Sequence, residues 1–219
     1  MIYLYAITDA ADEPDVPGLE GAPLHTIRDG RLAVVASEHD GLRLRAAEEE
    51  LWAHETVVEA LMEAGAVLPV RMGSVVENPD AVLALLRERG RDFSQALDEV
   101  RGAVEIAVRA AVDPEPAPRA TSGPDAGPGA AYMLDRLDRK QRVEEAGARI
   151  HASLEPLARD HTPIASSHER MALRTAYLVD RELVDDFAET AERVGDELDG
   201  VTVACTGPWP PYSFAAGVN

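Results

Sequence analysis

Asp113-Pro114-Glu115-Pro116-Ala117-Pro118-Arg119-Ala120-Thr121-Ser122-Gly123-Pro124-Asp125-Ala126-Gly127-Pro128-Gly129 is the stretch on which the organisation of this chain turns. It carries five prolines and three glycines. Proline pins φ and lacks the N–H that helices and sheets need, and glycine resists ordering, so neither regular structure persists there. Structureless loops beyond about 12–15 residues are uncommon inside one compact domain. The stretch therefore predicts a linker over 113–129 between two bodies, 1–112 and 130–219.

On its N-terminal side the pattern alternates strands and helices. Met1–Ile7 is an apolar run that reads as a buried strand. Leu24–Arg28 and Arg31–Ser37 flank Asp29-Gly30, a pair favoured in type I′ hairpin turns. Arg45–Ala64 has helical period, with Leu51, Val58, Leu61 and Met62 on one face. Ala66–Val76 reads as a strand interrupted by Pro69 and Gly73, which mark an edge or a bulge. Asn78-Pro79 is a helix start. The helix Pro79–Arg89 is expected to break at Gly90 and resume to about Asp98. Gly102–Val112 alternates Val104, Ile106 and Val108 against Glu105 and Arg109, as a half-buried strand does.

On the C-terminal side, Ala130–Asp160 reads as a long helix with Val143, Gly147, Ile150, Leu154 and Leu157 as its apolar stripe, ended or kinked at Pro156. Pro163–Arg170 and Met171–Asp180 read as two short strands or one bent one. Arg181–Leu198 is a helix and Val201–Thr206 a last strand. That strand feeds Thr206-Gly207-Pro208-Trp209-Pro210-Pro211-Tyr212-Ser213-Phe214, where three of the chain's ten aromatic residues meet three prolines. Such a segment is stiff, extended and loses little entropy on docking. It reads as a clasp onto its own domain, with a ligand for another protein's groove as the alternative. The fold class is α+β in two domains.

Composition limits the partners. The 219 residues are 46% apolar, with a mean hydropathy of −0.17. Forty acidic residues against 21 basic ones give a net charge of −19, which repels phosphates and anionic lipid. Nucleic-acid and membrane partners are not expected. No apolar run approaches the ~18 residues of a membrane span, and Met1–Ile7 has no signal-peptide pattern, so a cytosolic protein is expected. The single cysteine, Cys205, leaves no internal disulfide and no multi-cysteine metal site.

The chemistry is sparse. His54-Glu55 sits in a helix, but Val58 stands where a zinc-protease helix carries its second histidine. His54 borders the apolar stripe and reads as a hydrogen-bonded core histidine rather than a base. His161, His168 and Glu169 match no common ligand spacing. There is no phosphate-cradling glycine loop and no serine elbow. No catalytic, cofactor, metal or small-molecule site is expected.

Two stretches, Leu68-Pro69-Val70-Arg71-Met72-Gly73 and Thr206–Phe214, resemble the signature segments of the gas vesicle GvpF/GvpL family. Tyr3-Leu4-Tyr5-Ala6-Ile7, the helical His54 and the Pro/Gly-rich break fit the same layout, so the resemblance spans the chain. Met72 departs from it, standing where the family usually has phenylalanine. The resemblance implies an N-terminal modified ferredoxin-like domain and a C-terminal α+β domain. It further implies a non-enzymatic accessory or minor structural protein of gas vesicles, working alongside the hydrophobic shell subunit GvpA or other gas vesicle accessory proteins. The vesicle is the expected location, after a cytoplasmic phase. The residues that would bind a partner, or only hold the domains together, are Leu68, Pro69, Val70, Arg71, Gly73, Gly207, Pro208, Trp209, Pro210, Pro211, Tyr212 and Phe214. An edge strand at Pro69–Gly73 would cap a shell subunit by strand addition, with the aromatic tail as anchor. A small-ligand-binding or enzymatic ferredoxin-like protein is the alternative.

Overall fold

A computed structural model describes residues 1–10, 13–41, 47–113 and 128–215. Within these the chain forms two compact units, Met1–Glu105 with Pro208–Asn219, and Ile106–Gly207.

The first unit is built on strand β1 (Ile2–Thr8), whose seven residues are all buried. An unbroken apolar run has no face for solvent, so it belongs at the centre of a sheet. The observed order is β2 (Leu24–Asp29), β3 (Leu32–Glu38), β1, β4 (Val67–Pro69), with the short β5 (Val75–Val76) also on β1. β1 runs antiparallel to β3, from Ile2 opposite Glu38 to Thr8 opposite Ala33, with a register shift between Leu4 and Ala6. Helices α1 (Glu48–Ala64) and α2 (Pro79–Val100) pack on this sheet.

Several local expectations change here. In the β2–β3 hairpin Asp29 pairs with Leu32, so the two-residue turn is Gly30-Arg31. Only Gly30 has positive φ, 62°, which fits type II′ rather than type I′. α2 runs through Gly90 without a break, because Val82, Leu86, Phe93, Leu97 and Val100 keep one buried stripe across it. That packing outweighs glycine's helix penalty of about 1 kcal/mol. The Asn78 side chain does cap α2, accepting the Ala81 N–H at 3.0 Å. Residues 66–76 are two short strands with a turn between them. Leu51 is exposed, and His54 and Val57 take its place on the buried face of α1.

The second unit carries the sheet β7 (Asp160–Pro163), β8 (Met171–Asp180), β6 (Ala103–Val112), β9 (Val201–Trp209). Helix α3 (Pro128–Leu154) packs on β8, and α4 (Val184–Asp196) packs on α3 and β8. α3 ends in a 3₁₀ turn at Glu155–Leu157, where Pro156 cannot continue the α-helical ladder. A further 3₁₀ turn, Arg181–Leu183, precedes α4. Residues 164–170 form no strand, and β9 extends through Gly207 and Pro208 to Trp209. Proline is tolerated there because β9 is an edge strand.

The units divide within β6 and near the end of β9 rather than at 113–129. Residues 114–127 of the expected linker lie outside the described residues, while Pro128 and Gly129 begin α3. Pro208 onward packs with the first unit, so the tail belongs with 1–105 and not with 130–207.

Candidate functional site

His54 is the pivot of the first unit. It has no exposed surface. Its Nε2 lies 3.1 Å from the Val70 carbonyl oxygen, which can only accept, so Nε2 carries the proton and donates. Nδ1 is then the acceptor for the Tyr3 hydroxyl at 2.9 Å. The Tyr3 oxygen in turn accepts the Gly73 N–H at 3.3 Å. Burial holds the His54 imidazole down at about 4 and pushes the Tyr3 phenol up to about 12, so both stay neutral.

The network ties down the segment Leu68–Gly73. Leu68, Pro69 and Val70 are buried, and the Val70 N–H is bonded to the Tyr5 carbonyl. The chain then turns outward through exposed Arg71 and Gly73 and returns to pair Val75 with Tyr3. Gly73 has φ of 91°, a left-handed conformation that disfavours any side chain. β4 is indeed at the sheet edge, but Val70, just past its end, is buried and its N–H is already used by Tyr5. A charge at Val70 would be buried without a partner and should destabilise the unit.

The tail lies beside this segment. Pro210 and Pro211 are buried, and the 3₁₀ turn Tyr212–Phe214 packs on β4. The Tyr212 hydroxyl donates to Glu55 Oε1 at 2.9 Å. Glu105 accepts both the Ser213 N–H at 2.7 Å and the Ser213 hydroxyl at 2.8 Å. Glu105 is therefore buried and paired, not on a solvated strand face. Burial raises the pKa of both Glu55 and Glu105, against the lowering effect of these bonds. The two signature segments thus meet in one unit, with His54 behind one and Glu105 holding the other.

Removing the Glu105 carboxylate should free the tail. A hydrogen bond to a charged group contributes about 1.5–3 kcal/mol. In Glu105→Ala, amide hydrogen exchange at Tyr212–Phe214 is expected to speed up at least ~10-fold. Unchanged exchange would show that the tail is held by proline burial alone.

What the clasp leaves exposed is an apolar face. Trp209 remains 43% exposed, next to Leu51 at 45% and Trp52 at 61% on α1. With Pro210, and with Glu55 and Glu59 among the acidic lining, they border a groove of about 340 Å³. Gly207 and Pro208 are exposed at the end of β9, and Phe214 is half-buried. Sequence reasoning found Trp209 but not Leu51 and Trp52. Helical period alone puts Leu51 in the core stripe and gives Trp52 no role, although an aromatic residue on a helix's polar side is itself a signal.

The remaining candidates lie elsewhere. His161 is in β7, whereas His168 and Glu169 are in the segment leading into β8. Cys205 is half-buried in β9, and burial raises its thiol pKa.

Comparison with known proteins agrees with this architecture. The family model described as gas vesicle synthesis protein GvpL/GvpF matches residues 1–216. The chain is 32% identical to gas vesicle protein L of Streptomyces sp., over 97% of this chain and 92% of that protein. It is 28% identical to gas vesicle protein F of the same organism, over 97% and 98%. In three dimensions it is similar to the crystal structure of GvpF from Anabaena sp., with a TM-score of 0.82 at 21% identity, covering 98% of this chain and 97% of that one. GvpF from Microcystis aeruginosa gives a TM-score of 0.78 at 20% identity, covering 98% of each chain. With the two-unit α+β fold and a family match spanning nearly every residue, the chain belongs to the gas vesicle GvpL/GvpF family.

Proposed function

We propose that this protein serves gas vesicle assembly as a non-enzymatic binding protein, and that its partner is the hydrophobic shell subunit GvpA. The observation that carries this is the apolar face of Leu51, Trp52 and Trp209 on a chain of net charge −19. Subunits of a wall that excludes water expose apolar surface before they assemble, and such surface aggregates. A strongly acidic protein that covers it keeps the complex dispersed by charge repulsion. The rigid aromatic side chains anchor at low entropic cost, as interface hot spots do. The groove is mostly apolar and its acidic lining is largely tied up in holding the tail, which suits a protein contact better than catalysis. The vesicle is then the site of action.

The test is co-expression with GvpA from the same genome and capture on a tag fused to this chain. The wild type should retain GvpA, and Trp52→Ala/Trp209→Ala should lose at least ~90% of it while its circular dichroism is unchanged. A folded wild type that captures no GvpA refutes the reading. Capture of another accessory protein by the same face, with GvpA absent, would reassign the partner and keep the surface.

A further inference from the structure

We propose that His151, Glu155 and His161 form a binding site for a single divalent transition-metal ion, with Zn²⁺ the best match to its donors. A ligand atom from each of the three lies within 4.8 Å of the other two. The two histidines are half-buried and Glu155 is exposed, so an ion could enter from solvent without unfolding anything.

The backbone explains the convergence. His151 and Glu155 are four residues apart at the end of α3 and its 3₁₀ extension, a spacing that places two side chains on one helical face. The chain then passes Pro156, and β7 brings His161 back beside them. The His151 and His161 rings stand with centroids 4.5 Å apart and planes at 66°. Zinc bonds to nitrogen and carboxylate oxygen are about 2.0–2.2 Å, which sets neighbouring donors about 3.4 Å apart in a tetrahedral site. Small side-chain rotations at a half-exposed position close that gap.

A supporting residue sits beneath. The Tyr177 oxygen is 2.8 Å from His151 Nδ1, and Tyr177 is fully buried with its ring tilted against Phe187 at 5.3 Å. This bond occupies Nδ1 and leaves Nε2 of His151 as its ligand atom. Metal-binding histidines almost always engage their second nitrogen in this way. Two imidazoles and one carboxylate suit Zn²⁺ among borderline ions, and three protein ligands leave a position for water or a further donor. All four residues lie in the unit Ile106–Gly207, so the site is independent of the apolar face on the other unit. A bound ion would join the end of α3 to the edge strand β7.

The test uses the untagged full-length chain, stripped with chelator and titrated with Zn²⁺ alone by calorimetry. One ion per chain is expected, with Tm rising by about 5–10 °C at a hundredfold excess over Kd. His161→Ala should weaken binding by at least ~100-fold, and Tyr177→Phe by roughly 10–100-fold. His168→Ala lies outside the cluster and should bind as the wild type does. Glu155→Gln, at an exposed position, carries the test if His161→Ala misfolds, and should weaken binding about 10-fold. Absence of saturable one-to-one binding by the wild type overturns the proposal. So does wild-type affinity in the folded His161 or Glu155 variant, or loss of binding in His168→Ala.

Discussion

Gly147→Ala destabilises the unit Ile106–Gly207 by about 3 kcal/mol, near the top of the usual range for overpacking. The helix α3 presses this glycine onto the backbone of β8. A Cβ there would stand 2.0 Å from the Ala172 carbonyl oxygen and 2.9 Å from its carbon. Both are main-chain atoms of a strand paired in a sheet, so neither can turn aside as a side chain would. Ala gains about 1 kcal/mol over Gly in helix propensity, and this offsets only part of the clash. Gly90 supplies the contrast within the same protein. Its added Cβ would meet only Leu32 Cδ1, at an ordinary 3.5 Å. Gly90→Ala should therefore be neutral or stabilise by up to about 1 kcal/mol. Thermal unfolding by circular dichroism, with hydrogen exchange at β8 to identify the unit, separates the two. A Gly147→Ala protein as stable as wild type would mean that α3 does not approach β8 so closely.

The unit holding both tryptophans loses about 3 kcal/mol of stability as pH falls from about 6.5 to 4, through His54. The folded imidazole is depressed to about 4 from an ordinary 6.5, by burial above all. Below 6.5 the unfolded chain takes up a proton that the folded protein refuses, so acid favours unfolding. The stability is fully present above 6.5 and is lost on the way down to 4. Glu55 and Glu105 act in the opposite sense, because burial raises both. Their contribution is present below the ordinary carboxyl value of 4.5 and is lost as pH rises through their raised values. His54→Gln isolates them: that variant should become more stable on mild acidification, where the wild type becomes less so. His54→Ala at neutral pH should cost about 4 kcal/mol, from a cavity and the orphaned Val70 carbonyl and Tyr3 hydroxyl. Urea unfolding followed by tryptophan fluorescence at several pH values measures all three. If wild type and His54→Gln share one pH slope, His54 is not the group that titrates.

Much of this protein was readable from local pattern alone. The apolar run at Met1–Ile7, the Asn78-Pro79 helix start and the edge character of Pro69 depend on near neighbours, and each stands in the structure. Misreadings came where a distant partner overrode a local rule. Gly90 breaks a helix by propensity, yet the stripe from Val82 to Val100 carries the helix across it. Alternation places Glu105 in solvent, yet Ser213 buries and pairs it from more than a hundred residues away. Leu51 fits an apolar face but is exposed, while His54 takes a buried position because Tyr3 and Val70 satisfy both its nitrogens. The same holds for the sites. The two signature stretches are conspicuous as sequence, but only folding brings them together, and only folding shows that the clasp leaves Trp209 beside Trp52. His151 and Glu155 share a visible helical spacing, while the approach of His161 depends on how β7 returns. Local sequence dictates elements through period, capping and missing donors. Which side chains meet is decided by long-range packing and by the need to pair every buried polar group.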